Sequence, residues 1–186
     1  MNLSSGGLLI RFLPIISTSI INTQIVITEV LFDPECIGTN QEFVEILNLG
    51  SFAVDINGWA LTDNNSTDEL FPEFSSLGAG EFGVILEQDY TDCFELVFPD
   101  EVNIIFVDDN SIGNGLGNSS DELFLINTLG DTVSEMSWTN GITHGHSLEK
   151  VVPEFENIPE NWRESINILG TPGSENSVSS QLIDVG

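Results

Sequence analysis

The chain has 186 residues, 40% of them hydrophobic, and carries 30 acidic residues against 3 basic ones for a formal net charge of −27. That length suits one two-layer domain with short tails, and the apolar content excludes an intrinsically disordered chain despite the acidity. A field of this sign repels nucleic acid and anionic membranes, so it reads as a solvated acidic surface tolerant of salt and open to cations.

Residues Met1 to Thr23 contain no acid and one arginine, Arg11, with an apolar run from Phe12 to Ile21 broken by Pro14 and by Ser17 to Ser19. The stretch reads as a secretory signal, residues 1–23, too short and too polar to persist as a membrane anchor. A mature chain would begin near Gln24 and keep Lys150 and Arg163 as its fixed positive charges. The expected location is therefore secreted or cell-surface. Cys36 and Cys93 both fall in expected loops. In an exported chain they form one disulfide; in a reducing compartment they are two thiols.

From there the elements read in order as strands. Gln24–Leu31 and Glu42–Asn48 are dense in β-branched and aromatic residues and flank a turn-rich loop, which predicts a hairpin. Short strands follow at Phe52–Ile56 and Trp59–Thr62 around Asn57-Gly58, and Asp63–Glu69 is polar and loop-like. Glu81–Glu87 is a strong strand after the turn SSLGAG. Gln88–Pro99 spaces Tyr90, Phe94 and Val97 as one short helix would. Val102–Val107 is a buried strand by composition, and Asp108–Ser120 is a glycine- and asparagine-rich loop. Leu123–Asn127 and Thr132–Ser137 make a second hairpin, and His146–Val151 a last strand. Irregular chain is expected from Pro153, with a domain end at Ser177 and a mobile tail over residues 178–186. About eight or nine short strands with at most one short helix define an all-β sandwich.

Taken in sequence, IVITEVLFDP (25–34), EFVEILN (42–48), NGWALTD (57–63), LGAGE (77–81), NSSDELFLIN (118–127), LGDTV (129–133), HSLEK (146–150), NWRES (161–165) and TPGSENS (171–177) resemble the lamin tail domain. The secreted bacterial type is the closer likeness. The resemblance spans Gln24 to Ser177 and implies an immunoglobulin-like β-sandwich used for binding or structure, with no catalytic residues to carry over. The family often accompanies nucleases, phosphodiesterases or cell-surface proteins; here the domain is expected to stand almost alone, with no room for an enzyme partner.

Chemistry concentrates first in the opening hairpin. Pairing Glu29 with Glu45 sets Leu31 against Phe43, so two carboxylates face each other across adjacent strands. Like charges so placed destabilise a sheet unless a cation or a proton neutralises them. With basic residues scarce, the expectation is a structural ion cluster in which Lys150 or Arg163 lies over Glu29 and Glu45. The alternative places both glutamates in solvent, with Val26, Val30, Val44 and Ile46 as the core face.

Other constellations are weaker. Asp108-Asp109-Asn110 lacks the oxygen donors of a helix–loop–helix calcium site, because Ile112 and Ser119 stand at ligand positions. A non-standard Ca2+ site at Asp33, Glu35 or the 108–121 loop is the cofactor alternative to none. His144 and His146 supply half a zinc site with no third ligand nearby. GHSLE resembles a nucleophile elbow but has Glu149 where the second glycine belongs, which argues against a serine hydrolase. Trp59, Trp138 and Trp162 are either sandwich struts or a carbohydrate platform. The reading is a non-catalytic module for adhesion, surface presentation or matrix contact, with a protein or glycan partner at the cell surface, no nucleic acid and no membrane span. A carbohydrate- or calcium-dependent binding module is the alternative, and an unrecognised hydrolase a third.

Overall fold

The computed structural model describes residues 25–35, 40–63, 65–91 and 98–180. The strands are β1 (Ile25–Leu31), β2 (Phe43–Asn48), β3 (Val54–Asp55), β4 (Ala60–Thr62), β5 (Thr67–Glu69), β6 (Phe71–Pro72), β7 (Ser76–Leu77), β8 (Phe82–Leu86), β9 (Asn103–Phe106), β10 (Asp121–Ile126), β11 (Thr132–Trp138), β12 (His146–Lys150) and β13 (Trp162–Ile168). The larger sheet has the order β13-β12-β1-β2-β8-β9-β6, the smaller β11-β10-β4-β5, and β3-β7 forms a short ribbon. Among the described residues β8 and β9 pair in parallel and the other pairings are antiparallel. The molecule is an immunoglobulin-like all-β sandwich.

Alternation along β1 decides what lies between the sheets and what lies behind the larger one. Its register to β2 shifts between Ile27 and Glu29, so Thr28 is an extra residue and the side-chain phase changes there. Ile25, Ile27, Val30 and Phe32 therefore join the main core with Val44, Ile46, Ile85, Leu61, Leu125 and Trp138. Leu31 turns to the opposite face, into a second cluster with Phe43, Val84, Leu86, Val102 and Leu169. Each fully buried aliphatic or aromatic side chain contributes roughly 1.5–3 kcal/mol. Both faces of β1 and β2 are buried along their whole length. The Ile27 amide beside the bulge donates to Ser134 Oγ of β11 at 3.0 Å, a direct link between the two sheets.

Three segments depart from expectation. Thr67–Glu69, read as polar loop, is β5, because Asp68 rather than a hydrophobe fills its inward position opposite Leu61. Trp162–Ile168 is an edge strand where irregular chain was expected; it pairs with β12 and leaves Ile166 and Ile168 exposed. Val178, expected to open a mobile tail, is fully buried. The helix expected within Gln88–Pro99 and the signal segment fall largely or wholly outside the described residues, as do Cys36 and Cys93. No helix among the described residues is long and apolar enough to cross a membrane.

Candidate functional site

The opening hairpin does set Glu29 against Glu45, and a third carboxyl joins them. Register places Glu149 of β12 opposite Glu29 on its other side, so Glu149, Glu29 and Glu45 form a row across three adjacent strands. All three are fully buried. What covers them is the segment Leu169–Val178, which crosses the row as a strap.

The strap supplies donors in sequence. Thr171 N donates to Glu29 Oε1 at 2.9 Å and Thr171 Oγ1 to Glu149 Oε1 at 2.9 Å. Gly173 N donates to Glu45 Oε2 at 2.7 Å. Ser177 Oγ and Val178 N both reach Glu149 Oε2, at 2.7 and 3.1 Å. The sheet adds Ser147 Oγ to Glu29 Oε1 at 2.5 Å and Thr28 Oγ1, on the bulge, to Glu45 Oε1 at 2.6 Å. Asn176 anchors the strap by donating to the carbonyls of Thr28 and Lys150. Every carboxyl oxygen of Glu45 and Glu149 thus has a donor, whereas Glu29 Oε2 is buried without one.

A buried anionic oxygen beside two other carboxyls is costly, so Glu29 favours its neutral form. Burial first, then the charges of Glu45 and Glu149, push its carboxyl well above the usual range. Burial likewise pushes Glu45 up to about 8 against the opposing hydrogen bonds from Thr28 and Gly173.

The cation expected over the pair is not what neutralises it. Lys150 follows Glu149, so strand alternation directs it to the other face. Its ammonium donates to the Pro153 carbonyl at 3.1 Å, and burial pulls its pKa down to about 8. Arg163 does stand opposite Glu149, but its guanidinium turns back to the carbonyls of Glu160 and Trp162. Among the described residues the contacts within 4 Å between basic and acidic side chains are those of His144, to Glu35 at 3.0 Å and to Asp33 at 3.9 Å. The glutamates are not in solvent either. The sequence pattern missed Glu149 and the strap; the one signal available was TPGSENS itself, whose single glycine and three hydroxyls are small donors able to approach carboxylates closely.

A second set of carboxylates pegs the loop between β9 and β10. Asp63 accepts from the amides of Asn65, Ser66 and Asn114, Asp68 from Gly113 at 2.6 Å, and Glu42 from Leu116 at 3.1 Å. Burial would raise Asp63, but those amides outweigh it and hold the group below its ordinary value. Burial pushes Asp68 up to about 6, Glu42 to about 7 and Glu87 to about 8, the last with Glu42 and Asp89 adding their charge. Among the described residues no three of His, Cys, Asp and Glu are grouped to hold a metal ion. Asp33, named for calcium, accepts instead from Asn118 Nδ2 at 2.8 Å.

His144 is exposed beside Glu35, whereas His146 Nδ1 lies 2.8 Å from the Ser165 carbonyl. Ser147 is fully buried, and its hydroxyl donates to Glu29. The three tryptophans are buried, at 6%, 5% and 7% exposure for Trp59, Trp138 and Trp162. Trp138 stacks on Phe32 with centroids 4.6 Å apart and donates to the Gly117 carbonyl, and Trp162 donates to Asn157. A cavity of about 210 Å³ opens between the latter two, but their rings act as struts and present no exposed platform.

No curated protein matches the chain. The model of the Lamin Tail Domain matches residues 19–140, from ahead of β1 to the end of the β10–β11 hairpin, leaving β12, β13 and the strap beyond the matched span. With that match over more than half its length, the chain belongs to the lamin tail domain family.

Proposed function

We propose that this protein is a secreted, non-catalytic module that makes adhesive or presentation contacts with a protein at the cell surface. Family membership and the immunoglobulin-like sandwich support an interaction module. The observation that carries the reading is where the large apolar groups lie. The tryptophans are struts, while Phe52, Phe71 and Phe74 stand 79%, 51% and 60% exposed on a strongly acidic chain. Exposed aromatic rings amid acidic charge favour a protein partner with basic and apolar character, since aromatic groups supply contact energy and charge supplies steering.

The test is a binding panel for the full chain against basic surface proteins and against glycans. Binding to a basic protein that falls with salt and weakens about tenfold in a Phe71→Ala, Phe74→Ala double variant is expected. Saturable glycan binding indifferent to salt and to both substitutions would overturn it in favour of a carbohydrate-binding module. Export is checked by N-terminal sequencing of the released chain, expected to begin near Gln24; a chain retained in the cytosol with Met1 intact would refute secretion.

A further inference from the structure

The strap crosses the carboxyl row and donates to all three of its members, and among the described residues no cation is directed at the row. From β12 the charged groups are Glu149 itself, with Lys150 directed to Pro153; from β13, Arg163, committed to backbone carbonyls. From β2 there is Glu45, flanked on β8 by the uncharged Val84. From the strap there is Glu175, which turns outward to Ser179 Oγ. A cleft of about 300 Å³ runs between the strap and the Val151–Glu154 turn, and Thr28, which donates to Glu45, is in its lining. The strap itself enters through two consecutive left-handed residues, Leu169 at φ 64° and Gly170 at φ 71°, a conformation that costs energy at the leucine.

We propose that Glu29 and Glu45, packed beside Glu149, form a proton-binding latch: the Leu169–Val178 strap stays closed while this pair holds a proton and opens as the pair ionises. Three carboxylates on neighbouring strands repel one another under a dry cover, and opening the strap lets water solvate them. The sign follows from linkage. The closed state binds protons more tightly than the open one, so raising pH favours opening, by up to tenfold per unit for each titrating carboxyl. For Glu45 the window runs from its ordinary value of 4.5 to about 8. The strap's release would uncover part of the apolar outer face formed by Leu31, Phe43 and Val84.

Hydrogen exchange on the full chain between pH 5 and 9, corrected for the intrinsic rate, reads this directly. Protection of the Thr171, Gly173 and Val178 amides should fall about tenfold or more per pH unit across part of that range. The amides of Val44 and Ile46 should hold their protection, which separates strap opening from global unfolding. Glu29→Gln, which keeps an acceptor for Ser147 and cannot ionise, should flatten the slope and leave the strap more protected at pH 8; Glu45→Gln should flatten it independently. Strap protection that is constant with pH in the native chain overturns the latch, whether or not either variant folds. So does an unchanged slope in both variants, or a fall shared equally by the core amides.

Discussion

A methyl group on Gly170 would collide with Glu29 Oε1 and the Ser147 hydroxyl, and the residue's φ of 71° already disfavours any side chain. The position is a close approach of backbone to a buried carboxyl, and no neighbour can retreat because each is held in a hydrogen bond. Gly170→Ala should therefore cost about 2–4 kcal/mol of stability in urea denaturation, a loss typical of backbone strain combined with a displaced buried group. A cost under about 1 kcal/mol would mean that the strap is not seated on Glu29. Ser147 illustrates the same economy of space: in sequence it stands in a nucleophile-like string, yet in the fold its hydroxyl has a single task, to donate to Glu29.

At the scale of elements, the 108–120 loop shows how acidic residues hold backbone by accepting its amides. Asp63, Asp68, Glu42 and Asp121 each accept a loop amide, from Asn114, Gly113, Leu116 and Gly117. Because these oxygens are occupied by N–H groups, millimolar calcium and a chelator should leave the melting temperature the same to within about 1 °C. A calcium-dependent rise of several degrees would instead reveal a cation site. The outer strands follow a related logic. β5 and β13 carry acids and hydroxyls at positions where a sheet pattern leads one to look for hydrophobes, so neither announces itself by alternation. They form because β4 and β12 offer them a ladder.

The whole molecule combines an acidic shell with a set of buried carboxyls, and both respond to pH in the same sense. Glu29, Glu42, Glu45, Asp68 and Glu87 all have their pKa raised, chiefly by burial. A raised carboxyl contributes its full stability below the unfolded value and loses it as pH climbs through the folded value. The loss is on the order of 1 kcal/mol per pH unit for each titrating group. Asp63 and Glu164 are lowered and act oppositely, losing their contribution only as pH falls below the ordinary carboxylate range. Thermal melts should accordingly show greatest stability near about pH 5 and a decline towards pH 8.5. A maximum at pH 8 would contradict the burial of these groups. The net charge of −27 adds self-repulsion that protonation relieves, so added salt should narrow the difference.

The class of fold, its main strands and the register that sets Glu29 against Glu45 were all legible in the residues alone. These follow from local rules: β-branched and aromatic runs, turn residues between them, and a side-chain period of two. The same rules located the acidic surface and the scarcity of cations. Only the tertiary structure decided how the paired glutamates are tolerated. A bulge at Thr28 reverses the phase of β1 midway, which no local pattern reports. The third member of the row arrives from a strand more than a hundred residues away in sequence, Ser147 donating across a separation of 118. The donors that replace the expected lysine or arginine come from a strap that resembles a loose end when read as sequence. Long-range burial turned a pair of carboxylates seeking a cation into a covered row seeking a proton.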